Sequence, residues 1–132
     1  MLKLTRKLEY ALIALSHMQR KKNNELSSTK EIAETYAIPQ EILAKTLQHL
    51  AKLDIIDAIQ GSHGGYKVKV ALNEVNLIDF FEKMEGPIGL VDCNIDADCV
   101  LEDMCNIRKP IRAINKNIRS VFSRITVSEI TQ

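Results

Sequence analysis

Apolar residues recur at helical spacing along most of this chain, and polar clusters cut the pattern into segments. Leu8, Ala11, Leu12, Leu15 and Met18 share one face of a helix over about residues 5–18, with Thr5 as its N-cap. The run Arg20-Lys21-Lys22-Asn23-Asn24 breaks that pattern. Ser28-Thr29-Lys30-Glu31 has the form of a capping box, in which the Ser28 hydroxyl and the Glu31 carboxylate satisfy reciprocal backbone donors; it predicts a short helix to about Tyr36. After Ala37-Ile38-Pro39, the spacing of Leu43, Leu47, Leu50 and Leu53 predicts a second helix over 40–53, with Pro39 at its opening. Two short helices with Ile32, Ala33 and Ile38 to bury the corner make a helix-turn-helix, whose second member presents its N-terminal residues to a major groove.

The period then changes from helix to strand. Residues 54–60 and 66–70 are rich in β-branched side chains and flank Gly61-Ser62-His63-Gly64-Gly65, which predicts a hairpin with a small, polar tip. Such a tip lets backbone approach a phosphate or a minor groove, the requirement for a wing. Asn76 is placed to cap a helix over 77–84, carrying Leu77, Ile78, Phe80, Phe81 and Met84 and stopped by Gly86-Pro87. The clearest periodicity comes last: Ile107, Ile111, Ile114, Ile118, Val121 and Ile125 alternate four and three apart, among basic residues on the other faces. A long helix with one narrow β-branched stripe suits a self-complementary seam between two copies. A two-fold dimer would read a pseudo-palindromic operator.

The expected fold is mainly α with a small β-hairpin wing. Residues 1–86 form a winged helix-turn-helix, 87–106 a cysteine loop, and 107–132 a long C-terminal dimerisation helix and tail. A chain of 132 residues buries one modest core. No segment approaches membrane-spanning length, and the N-terminus has no signal-peptide apolar run, so the expected setting is cytoplasmic, with no membrane partner. The net charge of +1 hides an asymmetry: residues 1–70 hold 11 Lys or Arg against 7 Asp or Glu, and residues 71–132 hold 7 against 10. The basic half would face double-stranded DNA. Gln40, Glu41 and Lys45 are placed to reach base edges. Lys3, Arg6, Lys7 and Lys30 would meet phosphates, with Gln60, Ser62, His63 and Lys67 on the wing. No nucleophile-base pair, phosphate-cradling loop or pair of catalytic carboxylates stands at usable spacing, so no enzymatic activity is expected.

The three cysteines of the chain, Cys93, Cys99 and Cys105, are equally spaced with five residues between neighbours. Six residues advance about 600° around a helix, so successive thiols cannot share one face and converge only in a loop. An odd cysteine count in a reducing compartment disfavours a disulfide framework and raises metal or redox chemistry. Structural zinc motifs place two to four residues between paired ligands, and the histidines, His17, His49 and His63, all lie in the other half. Asp92, Asp96, Asp98, Glu102 and Asp103 disfavour a thiolate unless a cation compensates. Bound iron supplies that charge.

The opening Leu4-Thr5-Arg6-Lys7 with Tyr10-Ala11-Leu12, the wing ending Gly64-Gly65-Tyr66, the stretch Glu85-Gly86-Pro87-Ile88 and the three cysteines together resemble the winged-helix iron-sulfur regulators that include IscR, NsrR and the regulators of the SUF assembly system, the Rrf-two superfamily. Cys105-Asn106-Ile107-Arg108, Ile114-Asn115 and Ile125-Thr126-Val127 are most similar to the SUF-system branch. The resemblance implies a homodimer in which Cys93, Cys99 and Cys105 hold an iron-sulfur cluster, of two-iron or four-iron form, near the partner's first helix. Where IscR has a histidine three residues after its last cysteine, this chain has Arg108, which cannot coordinate. Other members use a carboxylate from the opposite subunit's first helix, and the matching residue is Glu9. Relatives often carry an arginine at the wing position of Gln60. The function implied is a transcriptional regulator whose cluster senses iron, redox or nitric oxide status and controls cluster-assembly genes. The alternatives are a winged-helix regulator sensing thiol oxidation or zinc, and a winged helix used as an interaction module without DNA.

Overall fold

The computed structural model describes residues 4–22, 25–86 and 106–132. Lys3, Cys93, Cys99 and Cys105, and nearly all of the expected cysteine segment, lie outside the described residues. The elements run α1 (Arg6–Gln19), α2 (Thr29–Tyr36), α3 (Gln40–Lys52), β1 (Ile56–Ile59), β2 (Gly65–Val68), a 3-10 turn (Leu72–Glu74), α4 (Leu77–Glu85), α5 (Arg108–Ser123) and α6 (Val127–Thr131). The winged helix-turn-helix expected from the periodicity is present, with α2 and α3 as its two helices and β1–β2 as its wing.

Local chemistry explains the boundaries. The Thr5 hydroxyl accepts the Leu8 amide at 3.2 Å and starts α1; Asn76 accepts the Asp79 amide at 2.8 Å and starts α4. Ala37, in the left-handed region at φ 54°, ends α2 and turns the chain into α3. The first strand is shorter than the sequence suggests, because Asp54, at φ 60°, and Ile55, whose amide reaches the Leu50 carbonyl at 3.1 Å, form the turn that closes α3. Antiparallel pairing sets Ile56 opposite Val68 and Ile59 opposite Gly65. A bridge from Ser27 to Tyr66, with amide-to-carbonyl distances of 2.9 and 2.8 Å, ties the approach to α2 onto the wing. At the tip, a Cβ on Gly64 would collide with the Ile59 carbonyl oxygen, so this turn requires glycine.

The capping box at Ser28 forms by half. Ser28 Oγ accepts the Glu31 amide at 3.0 Å, but the Glu31 carboxylate turns to His17 Nε2 at 2.5 Å and Lys21 Nζ at 2.9 Å. A reciprocal box forms instead at the C-terminus, where Thr126 and Glu129 open α6. That helix was read from sequence only as a tail.

α1 packs against α3, α4, α6 and β2. Leu15, Ile32, Leu43, Leu47, Leu50, Phe80 and Val127 are completely enclosed. Burial of this size contributes about 1.5–3 kcal/mol per large side chain and is the main favourable term for the fold. α5 leaves this core and α6 returns to it: Val127 donates its amide to the Val75 carbonyl at 2.9 Å, Leu77 donates to Ile125 at 2.8 Å, and Thr131 donates to Gln19 Oε1 at 2.6 Å. Among the described residues, no helix is long and apolar enough to cross a membrane.

Candidate nucleic-acid interface

α3 is amphipathic, and its core side sets its rotation. Leu43, Thr46, Leu47 and Leu50 are buried, and Thr46 Oγ1 satisfies itself on the Ile42 carbonyl at 2.9 Å. The opposite face therefore points outward, and Gln40, Glu41, Lys45 and Gln48 on it are all exposed. A polar helix face next to a hairpin, with β1 packed on α3, is the arrangement that reads a groove with the helix and a phosphate backbone with the wing. Gln60, Ser62 and His63 are exposed at the wing tip. Lys67 is half-buried on β2 opposite Asp57, in a groove it shares with Lys21, Lys22, Glu25 and Lys69.

The remaining basic residues are distributed unevenly. Lys30 is exposed on α2, and Arg6 is exposed and paired with Glu9 at 3.1 Å. Lys7 is half-buried, and its ammonium donates to the Met84 carbonyl at 3.4 Å at the end of α4. Nearby, the Thr5 hydroxyl donates to Glu85 at 2.8 Å. These two contacts, invisible in the sequence because they join positions about eighty apart, pin the chain leaving α4 to the start of α1 just before the cysteine segment. His49 of α3 faces the same corner: burial lowers its pKa first, Lys7 lowers it further, and Glu85 opposes the shift.

On the far side of the helix-turn-helix, His17 joins α1 to α2 through Glu31 and through the Tyr36 hydroxyl at 2.9 Å. The hydrogen bond from His17, helped by Lys21, holds the Glu31 carboxyl below its ordinary range against the opposing cost of burial. This network fixes α2 on α1, and thereby the platform on which α3 stands.

The apolar stripe of α5 divides into two lines, each repeating every seven residues. Ile107, Ile114 and Val121 are 53, 48 and 53% exposed. Ile111, Ile118 and Ile125 are half-buried, and Ile125 packs against the core with Phe122, whose ring meets Phe81 edge-on at 6.0 Å between centroids. Arg119 of α5 pairs with Glu82 of α4. No residue of α5 is fully buried within the protomer.

Glu9 lies half-exposed on α1, held by Arg6 alone among the ion pairs described for it. Among the described residues, no three His, Cys, Asp or Glu side chains gather in a way that could hold a metal ion. The thiols and Glu9 together are nevertheless a donor set suited to iron-sulfur chemistry, three soft sulfurs and one harder oxygen.

Sequence periodicity missed one feature of this face: Ile42 is 46% exposed in the first turn of α3. Its apolar character in a row of polar positions was the available signal.

The family model for Rrf2, described as iron-dependent transcriptional regulators, matches residues 4–132. The chain is 27% identical to the HTH-type transcriptional regulator NsrR of Bacillus subtilis (strain 168), over 99% of this chain and 91% of the relative. Among solved structures it is similar to CymR, the global cysteine regulator of B. subtilis, with a TM-score of 0.76, 23% identity and coverage of 99% and 97%. It is similar also to T. potens IscR, with a TM-score of 0.73, 19% identity and coverage of 98% and 85%. At those identities the structures establish the fold.

Proposed function

Because this chain belongs to the Rrf2 family of iron-dependent transcriptional regulators, we propose that it is a homodimer whose operator affinity is set by an iron-sulfur cluster. Cys93, Cys99 and Cys105 hold the cluster, with Glu9 of the partner protomer as fourth ligand. When bound, that group supplies a centre that iron shortage, oxidants or nitric oxide destroy; cluster-assembly genes as targets rest on the likeness of Cys105-Asn106-Ile107-Arg108 and Ile125-Thr126-Val127 to the SUF-system branch. Gln40, Glu41 and Lys45 read base edges in the major groove, while Lys30, Arg6 and the wing residues Gln60, Ser62, His63 and Lys67 set affinity and salt dependence on the backbone.

One observation carries the reading. α3 offers an outward face of polar side chains flanked by Ile42, and in sequence the three thiols all fall between α4, pinned to the start of α1 by Thr5–Glu85, and α5, the helix with an uncovered apolar line. A cluster held by these thiols and by the partner's first helix would bear on α1, and α1 packs directly on α3. A change at the cysteines thus alters the spacing of the two recognition helices by a population shift. Glu9 has to leave Arg6 to ligate, and an exposed pair of this kind is worth only about 0–1 kcal/mol, so the exchange costs little.

The test is anaerobic purification with iron and acid-labile sulfide measured against protein. The reading expects a coloured dimer with near-stoichiometric iron and sulfide, lost in Cys99→Ser and shortened in lifetime in Glu9→Ala. A colourless zinc protein, or one with three free thiols and unchanged operator binding, overturns it.

A further inference from the structure

We propose that Ile42 reads the C5-methyl group of a thymine in the operator, as a specificity-determining residue of the DNA-reading function set out above, on which this inference rests. Leu43, Leu47 and Leu50 are 0% exposed and lock the rotation of α3, so Ile42 has one direction available. It lies about 100° from Leu43 and about 60° from Lys45 around the helix, on the flank of the outward face. The protomer does not use it. Ile42 is 46% exposed and belongs neither to the buried core nor to the partly buried residues packed against it. Yet β-branched isoleucine is a poorer helix former than the alanine, lysine or glutamine found elsewhere in α3.

The neighbours define the chemistry. Glu41 supplies an acceptor and Lys45 a donor, both exposed, and Ile42 flanks the face on the Lys45 side. In the major groove, only thymine adds an apolar group to the pattern of donors and acceptors, so an outward aliphatic side chain there discriminates thymine from cytosine.

The full-length protein, prepared anaerobically, selects duplexes from a random pool, and each thymine of the enriched duplex is then replaced singly by deoxyuridine, which removes only the methyl. At one position per half-site the wild type loses about fourfold in affinity, the worth of burying one methyl-sized group. In Ile42→Ala, a helix-favouring change whose fold is checked by circular dichroism, that loss disappears while the response at every other thymine stays as in the wild type; Ile42→Val retains most of it. If no thymine methyl matters to the wild type, or if the sensitivity persists unchanged in Ile42→Ala, the inference is overturned and operator binding stands. If no duplex is enriched, the DNA-reading function fails and this inference with it.

Discussion

Replacing Ile114 by alanine probes the seam of the proposed dimer. Ile107, at the start of α5, and Ile114 and Val121 within it repeat every seven residues, and Ile114 is 48% exposed in the protomer, which leaves about half of it for a partner helix to cover. Full burial of an isoleucine is worth about 1.5–3 kcal/mol, so the half left to the partner is worth about 1 kcal/mol in each protomer. Two-fold symmetry counts the position twice. The loss is therefore about 2 kcal/mol per dimer, or about 30-fold in the dissociation constant. Lysine at the same position is harsher, because it adds a charge to each side of the seam. Sedimentation equilibrium of wild type, Ile114→Ala and Ile114→Lys over a wide concentration range reads these shifts, with circular dichroism to confirm that helix content survives. It should survive, since α5 has no fully buried residue in the protomer and is tied to α4 through Phe122 and Arg119. An Ile114→Lys protein that sediments as the same dimer with the same dissociation constant refutes the seam.

Three further outcomes follow from the same geometry. Glu31→Gln removes a carboxyl held below its ordinary value of 4.5, chiefly by His17; the wild type has this stabilisation above the carboxylate range and loses it as pH falls, so the variant melts lower at pH 7 by about 1 kcal/mol, discounted for exposure, and its acid limb is flatter. His49 has its pKa lowered from 6.5, by burial first; the unfolded chain takes up that proton more readily, so stability falls as pH drops through about 6.5, and His49→Gln removes this part of the slope in melts from pH 8 to 5. Gly64→Ala forces a Cβ onto the Ile59 carbonyl and displaces the wing tip; operator affinity weakens and its salt slope shrinks by about one, the signature of a lost phosphate contact, while the melting temperature changes little.

The residues that carried the sequence reading were those whose partners lie one or two helical turns away. The heptad-like stripe of α5, the Leu43-Leu47-Leu50 face of α3 and the caps at Thr5 and Asn76 are local patterns, and each appears in the fold. Glu31 shows where local reasoning stops: the motif at Ser28 is a capping box on paper, but His17 near the end of α1 and Lys21 just beyond it compete for the same carboxylate and win. α6 was overlooked although Thr126 and Glu129 spell the start of a helix, because five residues are too few to show a period. Its stability comes from Val75, Gln19 and the core around Val127, all distant in sequence. The link from Thr5 to Glu85 was hidden for the same reason. The polar positions of α3 and the presence of the wing were legible, though the strands came out shorter than read; Ile42 was passed over because a scan for buried leucines does not ask which apolar residue is left outside.

The most direct measurement is operator affinity of one preparation of the full-length protein before and after removal of its cluster, by fluorescence anisotropy on the same duplex across a salt series. The account predicts that the two states differ by about tenfold or more, within the 5–150-fold range of ordinary coupling between two sites. Their salt slopes should stay similar, because the same lysines and arginines meet the phosphates. Equal affinities at every salt concentration contradict it.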